Sequence, residues 1–300
     1  MYKVYSQLDR LDTCIVGVTY NHLNHNPKII EETNEDLDKL ATFLQTKFNI
    51  NVIRPGTTTT NLPAPLTPRD YIGVVDEKLY IETHNAYWND IRDVSWPTDA
   101  PTTIEEWNNI PHFIIDELHN IHNVNELKDL HKYEYKNLID IVSSIDSQNV
   151  IKDSKIDTAM ITNIGQTLIV GTWPHFDYPK IVKKYFPNHE IHVVDSQGHL
   201  DGTLCVVSED LIISRDDVEV NIPGFETLYV ERTPHNGDQE TVFDINMLVI
   251  DRNNVVCLYE NESIFKKLQE RNITPHIVDF RHHEYWDAGI HCLTADLKRV

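Results

Sequence analysis

Residues 167–195, TLIVGTWPHFDYPKIVKKYFPNHEIHVVD, and residues 254–279, NVVCLYENESIFKKLQERNITPHIVD, can be laid over each other element by element. Each begins with a β-branched run, passes through a short loop into apolar residues at helical spacing, and ends in a second β-branched run. Residues 203–214, TLCVVSEDLIIS, predict a hairpin between them. Such units recur at intervals of roughly sixty residues, which predicts about five repeats with radial or solenoid packing rather than a doubly wound sheet.

The N-terminal half predicts the same kinds of element. Apolar residues recur at helical spacing after a cap at Asn34, so a helix is expected between two strands. The expected elements are strands at 13–18 and 51–55, helices at 34–49 and 125–142, and a hairpin at 68–82. Neither GxGxxG nor GxxxxGK[ST] occurs, so neither a dinucleotide site nor a P-loop is predicted.

The charge of the chain limits its partners. Its 300 residues include 26 basic and 47 acidic ones, for a net charge of −21. An acidic excess repels phosphate backbones and anionic membrane surfaces, so no nucleic-acid or membrane partner is expected. The opening MYKVYSQLDRLD has no apolar h-region, and a cytoplasmic location is therefore predicted.

One of the four cysteines differs from the others. Cys14, Cys205 and Cys257 lie in β-branched runs and are expected to be buried strand residues, and no CxxC spacing predicts a zinc knuckle or a disulfide framework. Cys292 instead follows Gly289 closely and stands beside a histidine. A cysteine nucleophile needs a histidine to move protons and a carboxylate to fix that histidine.

Candidate partners for Cys292 stand at the predicted ends of strands. In SQGHLDGT, His199 precedes Asp201 by two positions, and in an extended segment both would face one cavity. Two further carboxylates are Asp157 in KIDTAM and Asp70 in TPRDY. If the segment is extended, the side chain of His291 lies on the opposite side from Cys292, which predicts a structural role for it.

Metal binding is not predicted. The histidine pairs at 119 and 122 and at 282 and 283 come without a clear third ligand.

Five segments in one order resemble the amidinotransferase family, of the arginine:glycine amidinotransferase type, within the guanidine-modifying or pentein superfamily. They are RLDTCIVG at 10–17, PRDYIGVVDEKLYIETHNAYW at 68–88, GHLDGT at 198–203, NMLVIDRNNVVCLYENE at 246–262 and AGIHCLTADLKR at 288–299. The resemblance implies one domain over residues 1–300, an α/β fold that is a five-bladed propeller with pseudo-fivefold ββαβ repeats. This agrees with the repeat of roughly sixty residues.

The resemblance also implies a role for each matching residue. Cys292 is implied as the nucleophile, His199 as the general acid and base, and Asp157 as the carboxylate that orients His199. Asp70 and Asp201 are implied to grip the substrate guanidinium, whose charge would favour the thiolate.

The implied reaction moves the amidino group of L-arginine to a primary amine, glycine or a related one. It passes through an amidino-cysteine and releases ornithine, with no metal or organic cofactor. The expected partners are these small molecules, and the resemblance is compatible with a homodimer.

Some positions depart from the family pattern. Met160 stands where a second aspartate is expected, and Gln239 and Glu240 replace an expected serine pair. Arg215 is the candidate for binding the substrate carboxylate, although Val218 occupies the aligned position. The chemistry at the guanidinium is therefore predicted to be retained, while the acceptor is left open.

Two rival readings stay beside this one. A guanidine hydrolase, such as an arginine deiminase, would use the same residues with water as the acceptor. A non-catalytic binding propeller would be expected to lack one or more of the implied catalytic residues, yet all of them are present.

Overall fold

The computed structural model describes residues 2–19, 27–55, 66–70, 72–82, 150–154, 156–172, 177–196, 198–231 and 243–300. Several predicted features lie outside these ranges. They are the helix at 125–142, the pair His119 and His122, and positions Gln239 and Glu240.

Fifteen strands in the described ranges form five sheets of three strands each. The strands are β1 (Leu11–Val16), β2 (Asn51–Ile53), β3 (Ile72–Val75), β4 (Lys78–Glu82), β5 (Val150–Ser154), β6 (Ile161–Ile164), β7 (Thr167–Gly171), β8 (Glu190–Val194), β9 (Leu204–Ser208), β10 (Leu211–Arg215), β11 (Glu226–Val230), β12 (Leu248–Asp251), β13 (Asn254–Cys257), β14 (Thr274–Ile277) and β15 (Thr294–Arg299). The sheet orders are β15-β1-β2, β3-β4-β5, β6-β7-β8, β9-β10-β11 and β12-β13-β14.

All five sheets share one pairing pattern. The central strand pairs antiparallel with one neighbour and parallel with the other. Parallel neighbours need a crossover, and within the described ranges helices supply it in three sheets: α1 (Pro27–Phe48), α2 (Tyr178–Tyr185) and α3 (Glu262–Glu270). A fourth helix, α4, spans His283–Trp286. The predicted α/β class is thus confirmed.

The predicted hairpins and strand–helix–strand segments are confirmed, with one exception to the repeat. Strands β3 and β4 form the first hairpin, and β9 and β10 form the second. The crossover from β10 to β11, residues 216–225, contains no helix. It reads DDVEVNIPGF, in which Pro223 and the left-handed Gly224 at φ +88° suit a turn rather than a helix.

Helix α1 begins earlier than predicted. It starts at Pro27, and Asn34 lies inside it rather than at its cap. The side chain of Asn34 instead binds the backbone of Thr19, accepting from its N–H at 3.0 Å. A long-range contact therefore satisfies a side chain that the sequence alone assigns to capping.

A buried apolar cluster carries the segment that holds Cys292. It joins α1 to strands of two sheets and includes Cys14, Leu37, Leu44, Leu248 and Val256. Ile290, Cys292 and Leu293 pack into the same cluster. Cys14, Cys205 and Cys257 are buried strand residues, as predicted. No helix among the described residues is long and apolar enough to span a membrane.

Candidate active site

In each of the five sheets, a short segment leads into the edge strand that pairs antiparallel with the central strand. We call these the entry segments, and they are residues 68–70, 157–160, 199–202, 243–247 and 289–293. Every predicted site residue except Arg215 lies in one of them. Because the entry segments precede equivalent strands, each sheet can contribute side chains to the site from an equivalent position.

Contacts join the entry segments into a closed ring. The linking contacts are Thr158 Oγ1 to Arg69 O at 2.8 Å, His199 Nε2 to Asp157 Oδ2 at 3.4 Å, Asn246 Nδ2 to Asp201 O at 3.0 Å, His291 N to Asn246 Oδ1 at 2.8 Å, and Arg69 Nε to His291 O at 3.2 Å. Residues far apart in the sequence thus face one another across the ring.

His199 lies between two carboxylates. Its Nε2 is 3.4 Å from Asp157 Oδ2, and its Nδ1 is 3.9 Å from Asp70 Oδ1. Burial alone would lower the pKa of His199, but Asp157 and Asp70, together with Asp201, raise it well above its usual value. The imidazole of His199 is therefore protonated at neutral pH and can donate a proton. Asp157 is held in turn by Ala159, whose N–H donates to Oδ1 at 2.9 Å.

The segment from His199 to Asp201 is not extended, contrary to the prediction. Leu200–Gly202 form a 3-10 turn, in which residues two apart do not point the same way. His199 faces Asp157, whereas Asp201 faces the segment that holds Cys292. The two residues still contribute to one site, but from different sides.

Asp70 has an unusual pKa. Its Oδ2 accepts a hydrogen bond from Thr67 Oγ1 at 2.7 Å. Burial raises the pKa of Asp70 to about 7, and Asp157 and Asp201 add to the rise while His199 opposes it. A cationic ligand would restore the ionised carboxylate, so this position suits a guanidinium.

Asp70→Asn is expected to stabilise the ligand-free protein at pH 8. The folded pKa of about 7 lies above the ordinary 3.8. Asp70 therefore contributes its full stability only below its unfolded pKa and loses that contribution as the pH rises through the folded one. Because asparagine never ionises, we expect a gain on the order of 4 kcal/mol at pH 8 that vanishes near pH 4.

Urea unfolding at pH 4, 6 and 8 measures this difference. Asp216→Asn, at an exposed aspartate, is the control and is expected to change little. A gain for Asp70→Asn that stays constant across this range would contradict the assignment.

Cys292 lies in a turn rather than in a strand. Residues 290–293 form the turn before β15, and it brings the side chains of both Cys292 and His291 to Asp201. Asp201 Oδ2 is 2.9 Å from His291 Nδ1 and 3.6 Å from Cys292 Sγ. The prediction that His291 faces away from Cys292 is therefore wrong, because it assumed an extended chain.

The surroundings of the Cys292 sulfur oppose its ionisation in the ligand-free protein. Burial raises the pKa of Cys292 well above its usual value, and the charges of Asp201 and Asp70 raise it further. A cation bound between the sulfur and these carboxylates would reverse the electrostatic part of that shift. The site is thus arranged to form its thiolate when a positively charged ligand arrives.

Asp201 keeps one oxygen unused. Among the described residues its buried Oδ1 has no hydrogen-bond partner. Burial would raise the pKa of Asp201, but His291, His199 and Arg69 lower it, so the carboxylate is ionised. Since a carboxylate only accepts, His291 Nδ1 carries the proton between them. An ionised acceptor beside a thiol suits a planar cation with N–H donors.

A buried ion triad braces the turn of Cys292. Arg69 Nε donates to the carbonyls of residues 291 and 294 at 3.2 and 3.1 Å, and Nη2 is 3.1 Å from Asp296 Oδ1. Burial would raise the pKa of Asp296, but Arg299 and Arg69 hold it well below its usual range. Because Asp70 follows Arg69 in the chain, the triad fixes Asp70 relative to Cys292.

Arg215 is engaged by a neighbouring carboxylate. It ends β10, and its Nε and Nη2 lie 2.8 and 3.1 Å from the two oxygens of Asp217. A substrate carboxylate would have to compete with Asp217 for this guanidinium. The predicted role of Arg215 in binding the substrate stays a prediction.

Metal ligands are not assembled in the described part of the chain. No group of three or more His, Cys, Asp or Glu side chains there could hold an ion. The neighbours His282 and His283 have separate partners: His282 Nε2 is 2.8 Å from Glu32 Oε2, and His283 contacts the hydroxyl of Tyr259.

The sequence interpretation missed three residues of the ring, Arg69, Thr158 and Asn246, and misplaced His291. One signal for Asn246 was available. The segment 246–262 was recognised, and its first residue stands two positions before a strand, much as Asp70 and Asp201 precede theirs. Laying the repeats over one another would have pointed to it.

Comparison with solved structures gives the fold. An amidinotransferase of the saxitoxin biosynthetic pathway from Microseira wollei matches with a TM-score of 0.66 and 14% identity, over 99% of this chain and 97% of that one. Inosamine-phosphate amidinotransferase from Streptomyces griseus matches with a TM-score of 0.66 and 15% identity, over 100% and 97%. The chain has the pentein fold.

Hydrolytic enzymes share this pentein fold. Agmatine deiminase from C. jejuni matches with a TM-score of 0.61 and 14% identity, over 100% of this chain and 97% of that one. No family model and no curated protein sequence matches the chain. The predicted resemblance is confirmed for the fold, while the reaction is not resolved by these likenesses.

Proposed function

We propose that this protein is an amidinotransferase that takes the amidino group of L-arginine onto Cys292 and passes it to a primary amine. The observation that carries the proposal is the set of three ionisable side chains that the entry segments bring together with Cys292. Asp201 Oδ2 lies 3.6 Å from Cys292 Sγ while its Oδ1 has no partner among the described residues, the buried Asp70 carboxyl would be ionised by a bound cation, and His199 lies between the carboxylates of Asp157 and Asp70. We further infer that the five sheets are the blades of a propeller and that residues 1–300 form one domain.

The first half-reaction follows from these groups. A guanidinium held by Asp70 and Asp201 lowers the pKa of the nearby sulfur, whose proton is released to solvent because His199 is already protonated, and the thiolate of Cys292 forms a bond to the guanidinium carbon. The bond from that carbon to the side-chain nitrogen of arginine then breaks. His199 gives its proton to the departing amine, so that ornithine leaves and the cysteine carries the amidino group.

In the second half-reaction, the nitrogen of the acceptor amine attacks the same carbon. His199, now neutral, takes a proton from that nitrogen, and the carbon–sulfur bond breaks. Glycine or a related amine is the proposed acceptor. The resulting reaction needs no group other than these side chains and the two substrates.

A second candidate is a guanidine hydrolase, and the likeness to agmatine deiminase favours keeping it. In that reaction ammonia leaves the guanidinium carbon instead of ornithine, so the carbon stays bonded to the side-chain nitrogen of arginine while Cys292 holds it. Water then attacks this carbon, the carbon–sulfur bond breaks, and citrulline is released. The two candidates share the attack of Cys292 and differ in the leaving group and the acceptor.

Product analysis tests the proposal. Purified protein is incubated with arginine labelled at the guanidino carbon, alone and with a panel of amines that includes glycine, and the products are read by mass spectrometry. We expect ornithine and a labelled guanidino product only when an amine is present. Labelled citrulline from arginine alone would mean that water is the acceptor, and no consumption of arginine under any condition would contradict the proposed donor.

A further inference from the structure

The fourth entry segment, residues 243–247, supplies a side chain to which neither the sequence nor the resemblance assigned a role. Asn246 is fully buried and lies two positions before β12. Its amide nitrogen lies 3.0 Å from Cys292 Sγ. The question is what an uncharged amide does there.

Every hydrogen-bonding position of the Asn246 amide is occupied by a group of the site. Oδ1 accepts from the backbone N–H of His291 at 2.8 Å and from that of Cys292 at 3.2 Å. Nδ2 donates to the carbonyl of Asp201 at 3.0 Å and to Cys292 Sγ at 3.0 Å. An asparagine amide has two acceptor sites and two donor hydrogens, so all four are used.

These contacts also fix which way the amide points. Two backbone N–H groups face one end of it, and only an oxygen can accept from both. The NH₂ group therefore faces the sulfur. Any rotation of the amide would set donors against donors at one end and leave the sulfur without its hydrogen bond.

The chain leaves room for this amide at Gly289. A β-carbon built on Gly289 would lie 2.5 Å from Asn246 Oδ1 and 2.6 Å from Asn246 Cβ. Only glycine allows the turn to approach Asn246 this closely. The turn of Cys292 is thus shaped around the side chain of Asn246.

We propose that Asn246 is a further catalytic residue, one that holds the turn of the nucleophile and donates a hydrogen bond to the sulfur that stabilises its thiolate. The inference rests on the proposed role of Cys292 and goes beyond it. Asp201 and Asp70 place negative charge near the sulfur, which opposes its ionisation. The hydrogen bond from Asn246 acts in the other direction and favours the thiolate. Asn246 thereby keeps the sulfur ionisable at a site whose carboxylates are needed for the substrate.

The test is the rate at which iodoacetamide alkylates Cys292 at pH 9, followed by mass spectrometry of the Cys292 peptide. Asn246→Asp has the same shape and can still accept from the turn, but it replaces the donor at the sulfur with an acceptor. Because this rate follows the thiolate fraction, and a hydrogen bond to a charged group changes an equilibrium about tenfold or more, we expect alkylation to slow at least about tenfold.

Asn163→Asp is the matched control. Asn163 is also a buried asparagine, but it lies in β6 rather than in an entry segment, and its Nδ2 donates to the carbonyl of Val4 at 2.9 Å. We expect its alkylation rate to stay within about twofold of the wild type. Should Asn246→Asp lose its near-ultraviolet circular dichroism, Asn246→Ser replaces it, since the shorter side chain withdraws the donor without adding charge.

The outcomes separate this inference from the proposed function. Equal or faster alkylation in a folded Asn246 variant overturns the role of Asn246 and leaves Cys292 as the nucleophile. No alkylation of Cys292 in the wild type would instead contradict the claim that small molecules reach its sulfur, and with it the proposed function. The pH profile of kcat/KM for arginine should also move to higher pH in the Asn246 variant, because forming the thiolate then requires a higher pH.

Discussion

Cys292→Ala is expected to abolish turnover of arginine and to leave the fold intact. The proposed reaction forms its covalent bond at Cys292 Sγ, and His199, Asp70 and Asp201 cannot supply that bond. Loss of an enzyme nucleophile costs several orders of magnitude, so we expect a fall of at least about 10⁴-fold in kcat. The free energy of unfolding should change by only about 1 kcal/mol, since the change leaves one N–H of Asn246 without its partner.

Steady-state kinetics and thermal unfolding of the same preparation measure both effects. Cys257→Ala is the matched control, because Cys257 is equally buried but lies in β13. That variant should keep its activity within about twofold. Retained turnover in a folded Cys292→Ala variant would show that another residue is the nucleophile.

His199→Gln is expected to lower kcat by about 10³-fold, because the general acid and base of both half-reactions is lost. Glutamine can keep a hydrogen bond to Asp157 but cannot deliver a proton. Burial lowers the pKa of His199, yet the surrounding carboxylates raise it well above its ordinary value. The charged ring therefore stabilises the fold fully below pH 6.5, and this contribution is lost as the pH rises through the higher folded pKa.

A stability difference that depends on pH accordingly accompanies the loss of activity. His199→Gln should be destabilised relative to the wild type at pH 6 and much less so at pH 10. His192→Gln, at a histidine in β8, is the control for both measurements. If His199→Gln kept more than a tenth of the wild-type kcat, the proposed proton transfers would have to be assigned to another group.

Much of the fold could be predicted from the sequence, because its signals are local. Alternating β-branched runs and helical spacing predicted the segments 167–195 and 254–279 and the hairpin at 203–214, and these elements are observed. The start of α1 could not be predicted in this way. Asn34 is bound to Thr19, and that contact exists only once the chain has folded.

The site was predicted less completely, for two physical reasons. The side-chain directions assigned to His199 and His291 assumed extended segments, whereas both lie at turns shaped by contacts with other sheets. The sequence also cannot show which charged side chains form ion pairs with one another in the folded protein. Arg215 seemed available for a substrate carboxylate, yet its guanidinium faces Asp217.

One measurement tests the central claim most directly, which is that guanidino carbon becomes bound to Cys292. The protein is mixed with arginine labelled at the guanidino carbon, quenched in acid during turnover, digested and examined by mass spectrometry. We predict one labelled amidino group on the peptide that contains Cys292, and none on that peptide in Cys292→Ala. Turnover without any labelled peptide, or label on a different residue, would contradict the account.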